Sequence, residues 1–484
     1  MRCLLYWMVA LPAWSAISFT SPGGGEQWAA GSIHVVAWTA PGAGGAAVLS
    51  YDAGGGWERI AEVPAVAGRF RWTVPSRLHR RAKLRLQAAG QVPAVSRTFA
   101  IVPSQEVAGY RWTQVTANAA FAPRDGAGAL SFQNQLWLIG GWNPRDKRHF
   151  PLICSNDVWS SADGKAWVER KPNTFRDASF DPRRDWEGRH TAGYAVHRGR
   201  MWIVGGDANQ KHYQDEVWSS ADGVRWTLVN ARAPWAPRAL HYTVVHQDRI
   251  WVIGGQTMPA FAGGPERFYR DIWRTADGVR WEQVRPREPY WSARGMIGGS
   301  AVFRGRIWIL GGGTYDTPQT PTRKFYNDVW SSADGRRWRR HAAEAPWHPR
   351  QYHEVAVFDG RLWVLEGYHA EGGNRNDVWY SADGVNWYEV PGTPWKPRHA
   401  ASVFVHGGAL WMVAGNNMES DVWRLDARAS PTAFAGRRPA PQGVGQVSDY
   451  RCAITSISTR QPGSGMPDTA TVVRTGGVAP NRPR

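Results

Sequence analysis

Between residues 109 and 427 the chain alternates short apolar runs with polar turns, and the alternation recurs at regular spacing. The stretch APRALHYTVVHQDRIWVIGG, residues 236–255, holds an apolar run, a polar turn and a second run ending in Gly-Gly, which reads as two strands. Trp137, Trp202, Trp251, Trp308, Trp363 and Trp411 mark this block six times. A second block follows five of the six: DVWSSADGKAW, EVWSSADGVRW, DIWRTADGVRW, DVWSSADGRRW and DVWYSADGVNW. Its two tryptophans stand eight residues apart in every copy, so each copy is a hairpin of one length. The Asp-Gly at Asp163, Asp222, Asp277, Asp334 and Asp383 supplies the turn, since Gly takes positive φ freely and Asp can hydrogen-bond the turn backbone.

A full unit of about 45–60 residues therefore reads as four strands, the period of a propeller blade. The sixth unit stops at DVWRLDA, residues 421–427, a third strand without a fourth. Ahead of every unit stands GYRWTQV, residues 109–115, a fourth strand without a third. Pairing the two makes the sixth blade from both ends of the chain, closes the ring and removes two exposed sheet edges. The expected fold is all-β: a six-bladed propeller over 109–427 closed by its N-terminal strand, with Trp112 in the role that Trp226 has in the second blade.

The succession of Pro-Arg, strand, Trp-bearing strand ending in Gly-Gly, and NDVW resembles the kelch family of β-propellers, particularly the bacterial galactose-oxidase-like kelch proteins, over residues 109–427. SADGxxW resembles the Asp-box of sialidase propellers but is one residue shorter, and in either family such a turn is structural. Residues 19–103 alternate apolar and polar positions over short runs with Gly and Pro turns, the pattern of a small β-sandwich, and resemble the immunoglobulin-like modules of exported bacterial proteins. IVPSQEVA, residues 101–108, is expected to be the linker. Residues 428–484, rich in Gly, Pro, Ser and Arg with no apolar period, read as a disordered basic tail.

Thirty tryptophans, 53 glycines and 32 prolines agree with short strands and tight turns rather than helices. Net charge is +18; the tail holds eight Arg from Arg428 onward against Asp449 and Asp468, about a third of the excess. The remainder predicts a basic surface that favours anionic partners. Nucleic acid is not expected among them, because no recognised binding motif is present. The opening MRCLLYWMVALPAWSAIS has one Arg, an apolar run from Cys3 to Leu11, then Ala13 and Ser15, the order of a secretory signal over residues 1–18 and too short to span a bilayer. Export to the periplasm or beyond is expected, with a monomeric state and membrane contact that is peripheral at most. Loss of the leader leaves Cys154 and Cys452, about 300 residues apart, and no bond between them is expected.

In a propeller the loop entering each inner strand and the loop between second and third strands share one face. Each entry carries an Arg (Arg124, Arg189, Arg238, Arg294, Arg350 and Arg398), and three residues earlier an aromatic: Phe121, Trp186, Trp235, Trp291, Trp347 and Trp395. Six guanidiniums around one mouth would attract carboxylates or sulfates. Each unit also has an acid two residues before its third-strand Trp (Asp157, Glu216, Asp271, Asp328, Asp377 and Asp421), so the arginines can equally pair from blade to blade. Function concentrates where repeats differ: Tyr213 beside His212, Tyr269 beside Phe268 and Tyr326 beside Phe325, flanked by Lys211, Arg267, Arg270, Arg323 and Lys324. The expected binding residues are Arg189, Arg238, Arg294, Arg350, Tyr213, Tyr269 and Tyr326. Glu366 replaces Gly or Ala in the fifth unit; a local ion pair with a nearby Arg is the plainer expectation for it, and an unpaired carboxyl at the end of a buried strand is a candidate acid or base.

Copper-radical chemistry, which the resemblance to galactose oxidase brings to mind, needs a Cys-linked Tyr and His ligands, and Cys154 is expected in a surface loop. His190, His241, His353 and His399 show no metal-ligand spacing, so no cofactor and no metal are expected. Sialidase chemistry needs an activated Tyr with Glu, and no such pair is evident. The expected function is an exported, non-catalytic module binding an acidic glycan or another anionic surface polymer, with a surface protein as a further partner class. The alternative is an enzyme on an acidic sugar. It would be sialidase-like, or an epimerase like the exported kelch protein that acts on sialic acid, using Glu366 beside the arginines.

Overall fold

The six Trp-marked units each form a four-stranded antiparallel sheet. In the computed structural model, which describes residues 17–427 apart from 209–211, 258–266, 296–297 and 315–323, the first sheet runs Gly128–Phe132, Gln135–Trp142, Cys154–Ser161, Val168–Lys171. The expected basic tail, Cys452 and all but the last two residues of the expected leader lie outside the described residues, which belong to one compact unit, Met1–Ser430. Register alternates as the apolar period requires: Leu130 faces Trp137 and Leu138 faces Trp159.

The orphan strand is where its sequence places it. Tyr110–Thr116 pairs antiparallel with Val422–Ala427, Trp112 opposite Leu425 and Gln114 opposite Trp423, and so completes the sixth sheet. First strands of successive sheets lie side by side, and Ser402–His406 of the sixth lies against Gly128–Phe132 of the first. The structure is thus all-β, built of many small sheets, an arrangement consistent with a β-propeller.

Two devices join each sheet to its neighbour. The first is the Asp-Gly turn: Asp163 accepts hydrogen bonds from the N–H groups of Lys165 and Ala166, and Ser161 Oγ accepts one from Gly164 N–H. Gly164 (φ 72°) lies so close to the Trp411 ring of the sixth sheet that a Cβ would come within 2.3 Å of it. The other four turn glycines sit on Trp137, Trp202, Trp251 and Trp308 in the same way. Trp363 has no such turn above it. Tyr110 of the closing strand covers it instead, edge to face at 4.7 Å, with its hydroxyl donating to Asp359 at 2.5 Å.

The second device is a ring of backbone hydrogen bonds around the axis. Thr191 N–H donates to Gly126, Leu240 to Thr191, Ala400 to Tyr352, and Gly126 back to Ala400. All five residues are left-handed (φ 52° to 57°), four of them with side chains, so local strain accompanies every described link.

Ahead of the repeats, Ser18–Ser21, Ile33–Thr39 and Arg69–Thr73 form one sheet, and a second is built on Ala46–Asp52, His79–Ala88 and Phe99–Val102. Trp28, Val36, Trp38, Leu49, Trp72, Leu84 and Phe99 share the core between them. The sequence predicts a separate module on a linker, but the first of these sheets continues the fifth sheet through Ile33 and Trp387. Asn386, at a position held by Ala or Arg in the other turns, accepts from Ala29 N–H at 2.7 Å, and the Tyr388 and Tyr380 hydroxyls accept from Gln105 and Val107 N–H, both at 2.9 Å.

Removing residues up to Thr116 is expected to bare the edge of Val422–Ala427 and uncover Trp363, giving self-association and loss of a cooperative melt. Size-exclusion chromatography and a thermal scan check this; a monomer with an unchanged melt would show that closure contributes nothing.

Candidate functional site

The entry loop of each inner strand and the end of each second strand meet on one face. Single bridges pair Asp125 with Trp142, His190 with Asp207, Ala239 with Gln256, Gly295 with Gly313 and Gln351 with Tyr368. The arginines stand at this rim but point inward, each 3% exposed or less. Arg398 binds both oxygens of Asp421 at 2.8 and 2.7 Å, Arg350 those of Asp377 at 2.6 Å, and Arg124 those of Asp157 at 2.6 and 2.9 Å. Arg238 and Arg294 hold Asp271 and Asp328 likewise, and Arg189 makes one such bond to Glu216 at 2.6 Å. The same acids accept the indole N–H of Trp159, Trp218, Trp273, Trp330, Trp379 and Trp423.

These facts correct two expectations. The pairs lie within one sheet, not from sheet to sheet, and Arg189, Arg238, Arg294 and Arg350 are buried against their acids and nearby carbonyls with almost no side-chain surface to offer a ligand, while the Arg189 Nε has no partner among the described residues. Burial opposes the charge on Asp377, yet Arg350 outweighs it and holds the carboxyl at about 2. The aromatics three residues earlier are also interior: Trp186 packs edge to face on Trp226 at 5.7 Å.

Of the predicted tyrosines, Tyr269 lies over the Arg238 guanidinium at 3.8 Å and Tyr326 over Arg294 at 3.7 Å, both half-buried. Tyr213 is buried with Leu240 and Tyr352 near the axis. The structure therefore assembles Tyr with Arg pairwise, and Lys211 and Arg323 lie outside the described residues. Cys154, expected in a surface loop, is fully buried at the start of a strand.

Glu366 occupies the left-handed position (φ 50°) that Gly140, Gly205, Gly254 and Gly311 fill elsewhere, and its carbonyl accepts from Arg350 at 2.7 Å. In the third and fifth units a His three residues after the Arg packs onto that glycine of the preceding unit: a Cβ on Gly205 would lie 3.1 Å from His241, and one on Gly311 3.0 Å from His353. The sixth unit has Ala401 there instead. The Glu366 side chain takes the space, held by the N–H of Gly367 at 2.7 Å and by Ala401 N–H, while its Oε1 has no partner among the described residues. Burial, then the neighbouring Glu354, push the Glu366 carboxyl well above its ordinary range.

Glu354 lines an axial cavity of about 180 Å³ with Tyr194, His241, Thr243 and Ser300, and burial raises it to about 8. On the rim, burial would discharge His190, but Asp207 at 3.2 Å and Asp125 at 3.3 Å raise it to about 10. Asn416 donates to Asp125, Asn374 to Asn416, and His399 to Asn374. Its members stand largely at repeated positions but differ in residue type: Asp125, His190 and His399 each follow the entry Arg, and Asp207 and Asn416 each stand two residues after the left-handed position that Glu366 takes in the fifth unit.

A third group is basic. The rings of His348 and His369 stand 4.9 Å apart beside Arg375, whose Nε has no partner among the described residues, and Arg71 reaches over Trp379 from the N-terminal sheets. Burial and the charges of Arg375, Arg71, His369 and Arg350 lower His348 to about 4. Asp377 is engaged by Arg350, leaving Glu389 facing Arg71 and Arg375 and Glu371 acting on His369. Among the described residues no three of His, Cys, Asp and Glu gather as metal ligands, and no helix is long and apolar enough to cross a membrane.

The class these features define is an all-β protein of many small sheets around a polar axis. No family model and no curated protein matches the chain. Among solved structures, YjhT matches with 13% sequence identity and a TM-score of 0.43, covering 63% of this chain and 90% of that one.

Removing one side of a buried pair strands the other, so Arg124→Ala should cost about 3–5 kcal/mol by chemical denaturation, far more than loss of an exposed Arg. Glu354 has a folded pKa above its unfolded value of 4.5, so its contribution is full below pH 4.5 and is lost as pH rises to about 8. Across that window stability should fall by about 1.4 kcal/mol per pH unit for this group, and Glu354→Gln should flatten the curve. Denaturant midpoints at pH 5 and pH 8 decide it.

Proposed function

We propose that this is an exported binding protein, a six-bladed kelch-type propeller preceded by an immunoglobulin-like sandwich, whose arginine-bearing face takes an acidic glycan or another anionic polymer. The observation that carries the reading is the basic group of Arg71, His348, His369 and Arg375, with the two imidazole rings 4.9 Å apart beside two guanidiniums; burial first, and the repulsion of these cations second, lowers His348 to about 4. A carboxylate or sulfate placed there would relieve that repulsion and accept charge-assisted hydrogen bonds. In this reading Arg189, Arg238, Arg294 and Arg350 keep the face in shape, and Tyr269 and Tyr326 supply its aromatic surface. The net charge of +18 draws anionic polymers toward it.

Glu366 favours a second reading, an epimerase or glycosidase on an acidic sugar: a buried carboxyl with a raised pKa, an unpartnered oxygen and a left-handed backbone is a suitable proton donor.

Heparin and hyaluronate are expected to bind with an affinity that falls steeply with salt, and Arg375→Glu should weaken binding at least tenfold, the size of one lost charge-assisted contact. Equal affinity of that variant would remove the basic group from the site. Interconversion of sialic-acid anomers followed by NMR, lost in Glu366→Gln, would move the conclusion to the enzyme.

A further inference from the structure

The residue before the paired acid differs among the sheets: it is Asp215 in the second, Arg270 in the third and Ser420 in the sixth. In the first, fourth and fifth sheets this residue is Asn156, Asn327 or Asn376, whose amide donates to the carbonyl of the aromatic opening the next unit: Trp186 at 2.8 Å, Trp347 at 3.1 Å and Trp395 at 3.3 Å. The sixth sheet has Ser420, two heavy atoms shorter. Its backbone carbonyl accepts from Ala119 N–H, as that of Asn327 does from Ala345 N–H, but its hydroxyl is too short to follow the amide to Phe121. At this place a half-open pocket of about 500 Å³ lies at the end of the closing strand beside the loop that enters the sixth sheet, within the range of about 300–1,000 Å³ usual for ligand sites.

Aromatic and polar groups converge on it. Trp423, half-buried, and Trp395 form one wall, with ring centroids 6.1 Å apart. Glu419 is held in place by the Lys396 ammonium and by Asn417 Nδ2 at 3.1 Å. Gln114 and Asn118, both exposed, supply amides from the closing strand and the turn after it. The charges cancel: Lys396 faces Glu419, and Asp421 is spent on Arg398 and the Trp423 indole. An anion finds no surplus cation here and a cation no free carboxylate.

We propose that this pocket binds an uncharged sugar residue, with the Trp423 ring against the C–H face of the pyranose, Glu419 accepting from hydroxyls, and Gln114, Asn118 and Lys396 donating to them. The site is distinct from the basic group and stands whether or not that group binds anions.

The test uses the full chain and isothermal titration with the methyl glycosides of glucose, galactose, mannose and N-acetylglucosamine, together with maltose and lactose. At least one is expected to bind saturably and without dependence on salt. Ser420→Asn, which places there the amide of the first, fourth and fifth sheets, should lower that affinity at least tenfold without lowering the melting temperature, and the surface variant Asn118→Ala should lower it several-fold. Absence of binding by the whole panel overturns the proposal. So does unaltered affinity in both variants, or tighter binding of glucuronate than of any neutral sugar. Heparin binding that persists while the neutral panel fails would sink this pocket and leave the basic group standing.

Discussion

The buried arginine that opens each unit is the constraint on which the rest depends. Its side chain reaches the acid of its own sheet, and its backbone reaches the sheet before. Arg350 holds Asp377 with two bonds of 2.6 Å, while its carbonyl accepts from Gly312 N–H and its N–H donates to Tyr326, both in the fourth sheet. Arg398 does the same between the fifth and sixth sheets, and the Arg124 carbonyl accepts from Gly415 N–H, tying the first sheet to the sixth. A desolvated guanidinium is tolerable only when its charge is paired and most of its donors are met, so each pair makes its sheet and its neighbour mutually necessary.

That constraint explains why the rim is free to vary. With alignment secured by Arg, acid and indole, the residues just beyond can differ from unit to unit: Asp125 and His190 in the first two, Tyr352 and His399 in the last two. The same freedom admits Glu366, whose side chain fills the space that His241 and His353 fill at other junctions. The sixth sheet has departures of its own, since two distant stretches build it: Tyr110 covers Trp363 where other sheets use a turn glycine, and Ser420 stands where the first, fourth and fifth sheets have asparagine.

Much of the fold was legible in the sequence because it is repeated. A turn that recurs with tryptophans eight residues apart has one geometry, and the unmatched strand at Trp112 has one partner that satisfies its edge. The candidate site was less legible for the same reason. Repetition announces Arg189 or Arg294 as important without saying whether the guanidinium faces a ligand or an acid. Direction depends on the partner, and the partner lies about 30 residues away at Glu216 or Asp328. The pairing within one sheet, the burial of Cys154 and the basic group joining Arg71 to His348 have no local signature.

By itself, then, the sequence determined the all-β elements and the pairing of Tyr110–Thr116 with Val422–Ala427, because period, turn chemistry and edge satisfaction are local or pairwise demands. Only the tertiary structure decided which charges are spent and which are available, where Glu366 and Glu354 meet the axis, and how the N-terminal sheets join the fifth through Ile33 and Asn386. Those outcomes rest on desolvation and on contacts between residues far apart in the chain, which no stretch of sequence contains on its own.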